Sequence, residues 1–293
     1  MAAGSDIRPC GEPGALLGEG PVWHMREQAL YWVDIKGLRL HRYRPSDGSS
    51  QHWEMHDRLA WLLPRREGGF VAGFPHEIGI LQLEPHPHFT PRLAVEAEFP
   101  GNRLNDAKTD HDGSLWFGSM DDGETNASGG FYHLRPDFSA SLVDRGYTIA
   151  NGPAIAPDGS CIYHTDSAAR TIYRYARQTD GTLAPRQPFI RFTEADGYPD
   201  GMTLDSQGGL WVAHWGGARV SRFTPDGRLD RAIALPVSQV TSCCFGGERL
   251  ETLYVTTAAI GLNPAQRARE PMAGGLFALQ PGLAGLPCPD FAG

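Results

Sequence analysis

Four oxygen-bearing side chains recur at one phase of this 293-residue sequence: Glu19 in LGEGPVW, Asn105 in GNRLNDAK, Asn151 in IANGPAI and Asp200 in GYPDGMTL. Asn105, Asn151 and Asp200 each stand ten residues before an apolar triplet (Leu115-Trp116-Phe117, Cys161-Ile162-Tyr163 and Leu210-Trp211-Val212), and Glu19 stands eleven before Leu30-Tyr31-Trp32. Carboxylates with amide oxygens are hard ligands, suited to Ca²⁺, Mg²⁺ or Mn²⁺ completed by water. Small polar residues also start strands, and Asn-Gly and Asp-Gly turns are common for backbone reasons alone. One such turn would mean no more than that. Four in phase, two of them carboxylates, point to a site.

The elements that must position them form a repeat. Counting Phe70-Val71-Ala72 and Leu253-Tyr254-Val255, six such triplets occur, 40 to 49 residues apart. A second strand-like run follows each, ending at Tyr43, Leu83, Leu134, Tyr175, Phe223 and Leu279, and turn strings such as RPSDG and TPDG come next. No helical periodicity is sustained for three turns. Several short strands per 40–50 residues is the signature of a β-propeller, in which each unit is a four-stranded blade packed on its neighbours. The expectation is an all-β, six-bladed propeller with four-stranded antiparallel blades, a single domain over residues 1–293, against the rival of two stacked sandwiches. The segment around Asp6–Cys10 is expected to close the last blade. Because innermost strands line a central channel, the four phased residues should converge at its mouth. In the two remaining blades that phase falls on Ala60 and Cys243.

Composition narrows the function classes. Gly and Pro number 36 and 23, hydrophobic residues make 41% and charged residues 20%, which excludes a helical bundle, a coiled coil and a disordered chain. No apolar run approaches the roughly 18 residues that span a bilayer. The formal charge of −8 argues against a nucleic-acid or anionic-membrane partner. The start, MAAGSDIRPC, shows no secretory signal, and five cysteines without CxxC spacing fit a reduced, cytoplasmic protein. GxSxG, GxxxxGK[ST] and GxGxxG motifs are missing, so a serine esterase, an NTPase and a Rossmann dehydrogenase are poor readings. His76-Glu77 lacks the second His of a zincin helix and reads as a loop pair. Tyr198 and Trp215 could wall a sugar pocket or simply pack, and Cys243 reads as a small buried hydrophobe.

LGEGPVW, YWVDIKG, RLNDAKTD, LWFGSM, NGPAIAPDG, YPDGMTLD, LWVAHWGG and VTSCCFGG stand in an order that resembles the SMP-30/gluconolactonase/regucalcin-like family, and within it bacterial sugar-acid lactonases. The resemblance covers nearly the whole chain and implies a six-bladed propeller. It implies that Glu19, Asn151 and Asp200 bind one divalent cation, Ca²⁺ first, with Zn²⁺, Mg²⁺, Mn²⁺ and Fe²⁺ as alternatives. It implies that Asp200 is also the catalytic acid/base, with a hydroxide on the cation as the other candidate base. Arg103 and Asn105 would hold substrate hydroxyls. A further acidic contact follows the GSM string, where straight counting lands on Gly123, leaving Asp122 or Glu124 to take the role. The expected reaction is hydrolysis of a sugar aldonolactone, pentono- or hexono-, to the aldonic acid. Hydrolysis of an aryl ester or phosphotriester, or Ca²⁺ binding without catalysis, are the alternatives.

Overall fold

The computed structural model describes residues 7–293. Six separate four-stranded antiparallel sheets account for its strands. Blade one comprises β2 (Gly18–His24), β3 (Ala29–Asp34), β4 (Arg39–Arg44) and β5 (Ser49–Glu54), in that order from the inside outward. Blade two is β6 (Trp61–Pro64), β7 (Phe70–Gly73), β8 (Glu77–Gln82) and β9 (His88–Ala94). Blade three is β10 (Asn102–Thr109), β11 (Leu115–Asp121), β12 (Gly129–Leu134) and β13 (Ala140–Tyr147). Blade four is β14 (Ala150–Ile155), β15 (Cys161–Asp166), β16 (Thr171–Ala176) and β17 (Gln187–Arg191). Blade five is β18 (Tyr198–Leu204), β19 (Leu210–Trp215), β20 (Arg219–Phe223) and β21 (Leu229–Ala234). Blade six takes β22 (Val240–Gly246), β23 (Thr252–Thr257) and β24 (Leu276–Leu279).

The fourth strand of blade six is β1 (Arg8–Cys10), paired antiparallel to β24 with Pro9 opposite Phe277. The closing strand expected near the amino terminus is therefore present over Arg8–Cys10, while Asp6 lies outside the described residues. The innermost strands touch in the order β2, β6, β10, β14, β18, β22 and back to β2, so the sheets form a ring. This is the six-bladed propeller expected from the repeat, and the stacked-sandwich alternative falls.

Burial follows position in the blade. Every residue of β3, β15 and β19 except Trp215 is buried, because a second strand is covered on both faces by neighbouring blades. That double cover is why each triplet reads as continuously apolar rather than alternating. The outermost strands β5 and β21 are largely exposed. After β24 the chain runs across one end of the channel, where Ala284 accepts from Ser206, Phe291 donates to Pro64 and Ala292 donates to Gly113. Those contacts lie at the carboxyl ends of the innermost strands. The phased polar residues lie at the opposite end.

Candidate metal centre and substrate cavity

The innermost strands are not regular where the chemistry sits. Register slips between Glu19 and Val22, Leu104 and Ala107, Asn151 and Ala154, Pro199 and Met202, and Val240 and Ser242. In the first four, two residues face one on the partner strand, a β-bulge, which turns the strand and re-aims a side chain. Blade two pairs without a slip from Trp61 to Pro64, and it is the blade with Ala60 at the site phase. Glycine permits the kinks. Gly152 has φ 80°, and a Cβ on Gly201 would lie 2.1 Å from Ser242 Oγ.

Glu19, Arg103, Asn105, Asn151 and Asp200 line a single cavity of about 570 Å³ at this end of the channel. Glu124, Tyr198 and Trp215 also line it. Asp122, His76 and Glu77 do not border this cavity. Cys243 is buried and donates through its thiol to Trp211 O, away from the cavity. All five cysteines are free.

The site has two tiers. The upper one comes from the turns that follow the second strand of a blade. Asp34, Asp121 and Asp166 end β3, β11 and β15, and each accepts backbone N–H groups from its own turn or from the chain entering the blade's innermost strand. Asp34 takes Leu16, Leu17 and Gly37 at 2.9 Å. Asp121 takes Asn126 at 2.8 Å and Thr125 at 3.1 Å, and these bonds pull its carboxyl down to about 2. Asp166 takes Thr148 and Ile149 at 3.3 Å. The residues just beyond these anchors, Lys36, Glu124 and Ser167, reach the cavity. Reading the sequence by its ten-residue phase missed Lys36 and Ser167. The recurring Asp two or fewer residues before each was the available signal.

A directional hydrogen-bond chain fixes the lower tier. Arg103 Nη1 donates to Asn105 Oδ1 at 2.6 Å, and Asn105 Nδ2 donates to Asn151 Oδ1 at 2.8 Å. Asn151 Nδ2 donates to Ser167 Oγ at 2.9 Å, and Ser167 passes its own hydrogen to Pro199 O at 2.6 Å. Ser167 spends its one hydrogen on Pro199, so it must accept from Asn151. The Asn151 amide is thereby oriented nitrogen toward Ser167 and oxygen away from it. Arg103 is buried; its Nε donates to Asp122 Oδ1 at 3.0 Å and its second Nη1 bond goes to Leu104 O at 3.1 Å. The two Nη2 hydrogens have no protein acceptor among the described residues and remain for a ligand.

The carboxylates at the mouth are poorly compensated. Burial raises the Asp200 carboxyl well above its ordinary range, and Glu19 and Asp106 push it further. Glu19 is raised likewise, by burial and then by Asp106; among the described residues its Oε2 accepts only from Gly20 N, at 3.1 Å. Asp106, which lines the narrow channel below, is pushed up to about 6 by burial. Among the described residues no three His, Cys, Asp or Glu side chains by themselves make a metal cluster. A cation here would need the Asn151 oxygen beside the two carboxylates. That donor set fits: a buried and a half-buried carboxylate with no ion-pair partner among the described residues, plus an amide oxygen held in place, suit a hard divalent ion.

The SMP-30/Gluconolactonase/LRE-like region model matches residues 17–259. An L-arabinolactonase of Azospirillum brasilense is 39% identical over 297 residues, covering 98% of each chain. A 6-deoxy-6-sulfogluconolactonase of Pseudomonas putida is 35% identical, over 95% of this chain and 96% of that one. The structure of a luciferin-regenerating enzyme superposes with a TM-score of 0.93 at 29% identity, over 99% of this chain and 100% of that one.

Proposed function

We propose that this chain, which belongs to the SMP-30/gluconolactonase/LRE-like family, opens a sugar aldonolactone to the aldonic acid with the help of one divalent cation. It is a lactone-hydrolysing enzyme; the finer reading concerns the substrate and the residues that act on it. The observation that supports this reading is one cavity that gathers Glu19, Asn151 and Asp200 beside Arg103 and Asn105.

A lactone is a cyclic ester, and its carbonyl oxygen must gain negative charge as water adds. Glu19, Asn151 and Asp200 would hold the cation, Ca²⁺ first, which when bound supplies Lewis acidity for that oxygen. Asp200 is the acid/base: it takes the proton of the attacking water and returns it to the ring oxygen as the C–O bond breaks. Its place beside Arg103 and Glu124 in the same cavity puts it within reach of a water held there. Arg103 presents its two free Nη2 hydrogens, and Glu124 an acceptor, to the hydroxyls of the sugar. Tyr198 and Trp215 supply flat apolar walls for the ring.

The test is acid release, followed with a pH indicator, from a panel of pentono- and hexono-lactones with aryl esters as controls. The expected result is lactone turnover that disappears on treatment with a chelator and returns with an added divalent cation. Turnover no faster than spontaneous hydrolysis, or a preference for aryl esters, would overturn the proposal.

A further inference from the structure

We propose that Asp122 is a positioning residue: anchored from two other blades by Lys36 and Arg58, it sets the Arg103 guanidinium for substrate and does not touch substrate itself. This rests on the lactonase reading above. Asp122 follows β11 of blade three and does not border the cavity, whereas Glu124, two residues on, does. Three cations meet on its carboxylate. Lys36 Nζ, from the turn after β3 of blade one, donates to Oδ1 at 3.2 Å. Arg58 Nη1, from the connection into blade two, donates to Oδ2 at 2.6 Å. Arg103 Nε donates to Oδ1 at 3.0 Å.

The geometry assigns each group a part. An ionised carboxylate has about four acceptor sites, and three are taken by cations, so little is left for a sugar hydroxyl. Asp122 is about one-third exposed, and with Arg103 alone it could rotate toward solvent. Arg58 prevents that by holding Oδ2, and Lys36 by sharing Oδ1 with Arg103. Partial burial raises the Asp122 carboxyl, but the bonds from Arg58 and Lys36 more than offset this and keep it ionised. With Nε fixed on Asp122 and Nη1 on Leu104 O and Asn105 Oδ1, the planar guanidinium has one orientation, and Nη2 is its only free edge. Asn at position 122 could accept from one cation only by turning an NH₂ toward another.

Steady-state kinetics on a double-mutant cycle of Asp122→Asn and Arg103→Met separates action through Arg103 from direct contact. Arg103 holds substrate equally before and during reaction, so Asp122→Asn should raise KM about tenfold while kcat changes less than about threefold. The double variant should match Arg103→Met within about twofold. Arg58→Met, outside the cavity, should raise KM in the same direction by about threefold, and Asp122→Glu should recover part of the loss. Multiplicative effects in the double variant, or an unchanged KM in Arg58→Met, would overturn the assignment even with the wild type active. A wild-type protein that hydrolyses no lactone would overturn the functional reading instead.

Discussion

Asp200 and Asp205 lie five residues apart on the innermost strand of blade five and just beyond it, and both are buried. Their surroundings are opposite. Asp205 accepts from Gln207 N at 3.0 Å, Gly209 N at 2.9 Å, Trp211 Nε1 at 2.8 Å and Arg222 Nε at 2.6 Å. Burial works against its ionised form, but Arg222 and Trp211 outweigh burial and its carboxyl stays below the usual range. Asp200 has no side-chain donor among the described residues and faces Glu19 and Asp106. Blade three repeats the contrast. Asp106, at the bulge, accepts backbone N–H groups alone among the described residues, from Ala107 at 2.9 Å and Gly152 at 3.0 Å, whereas Asp110 at the far end accepts from His111 N, Trp116 Nε1 and Arg177. The same residue type is a finished joint at one end of the strand and an unfinished one at the other. On the reading proposed above, these uncompensated carboxylates are the charge a bound cation would neutralise.

The largest effects should come from exchanging these two roles. Asp200→Asn should cut kcat by about 10²–10⁴-fold. In chelator its melting temperature should equal or exceed that of the wild type, because a buried repulsion has been removed. Asp205→Asn should do the reverse. It leaves Arg222 buried with half its counter-charge and should cost about 3–5 kcal/mol of stability, with kcat per folded molecule near normal. Thermal melts and kinetics on the same preparations check both. A stability loss in Asp200→Asn comparable to that of Asp205→Asn would erase the distinction.

The mouth was legible in the sequence because its lower tier is repeated. Glu19, Asn105, Asn151 and Asp200 share a blade phase, and triplets such as Leu115-Trp116-Phe117 announce the doubly covered second strands by their unbroken hydrophobicity. The upper tier was harder to read. Lys36, Ser167 and Glu124 sit one to three residues past a β-strand whose last Asp is structural, and the turns between differ in length. Arg58 comes from the connection between β5 and β6, and the equivalent connections between blades differ in length. Of the two acids left open after the GSM string, Glu124, with φ 58° after the Asp121-anchored turn, borders the cavity and Asp122 does not. Spacing alone does not carry that information.

A smaller effect should follow from loosening the unfinished end without removing a ligand. Ser167→Ala takes away the group that orients the Asn151 amide, and should weaken divalent-cation affinity by about 10–100-fold. The readout is the cation concentration needed to raise the melting temperature, since an ion that binds only the folded state adds about 2.7 kcal/mol at a hundredfold excess over its Kd. The expected curve for Ser167→Ala is shifted to higher concentration with the same plateau slope. A curve that coincides with the wild type would mean that the amide is held by Asn105 alone.

His164 sharpens the comparison from a third position. It opposes the Gly152-Pro153 bulge that aims Asn151, is fully buried, and has no partner among the described residues for either ring nitrogen. Its ring lies 4.1 Å from that of Phe131 and edge-on to Tyr147. It is therefore as unfinished as Asp200, yet an apolar wedge rather than a ligand. Burial first, and Arg186 second, lower its pKa to about 3. The folded value lies below the unfolded value near 6.5, so the unfolded chain takes up the proton first. The stability that neutral His164 allows is complete above about pH 6.5 and falls as pH drops toward 3, by about 2 kcal/mol between pH 7 and pH 5. His164→Leu keeps the wedge and removes the titration. Near pH 7 its melting temperature should be within a few degrees of the wild type, because losing two unpartnered nitrogens offsets the change of shape. Toward pH 5 it should become the more stable protein. Parallel stability profiles for the two from pH 7 to pH 5 would show that His164 takes no part in the acid sensitivity of the fold.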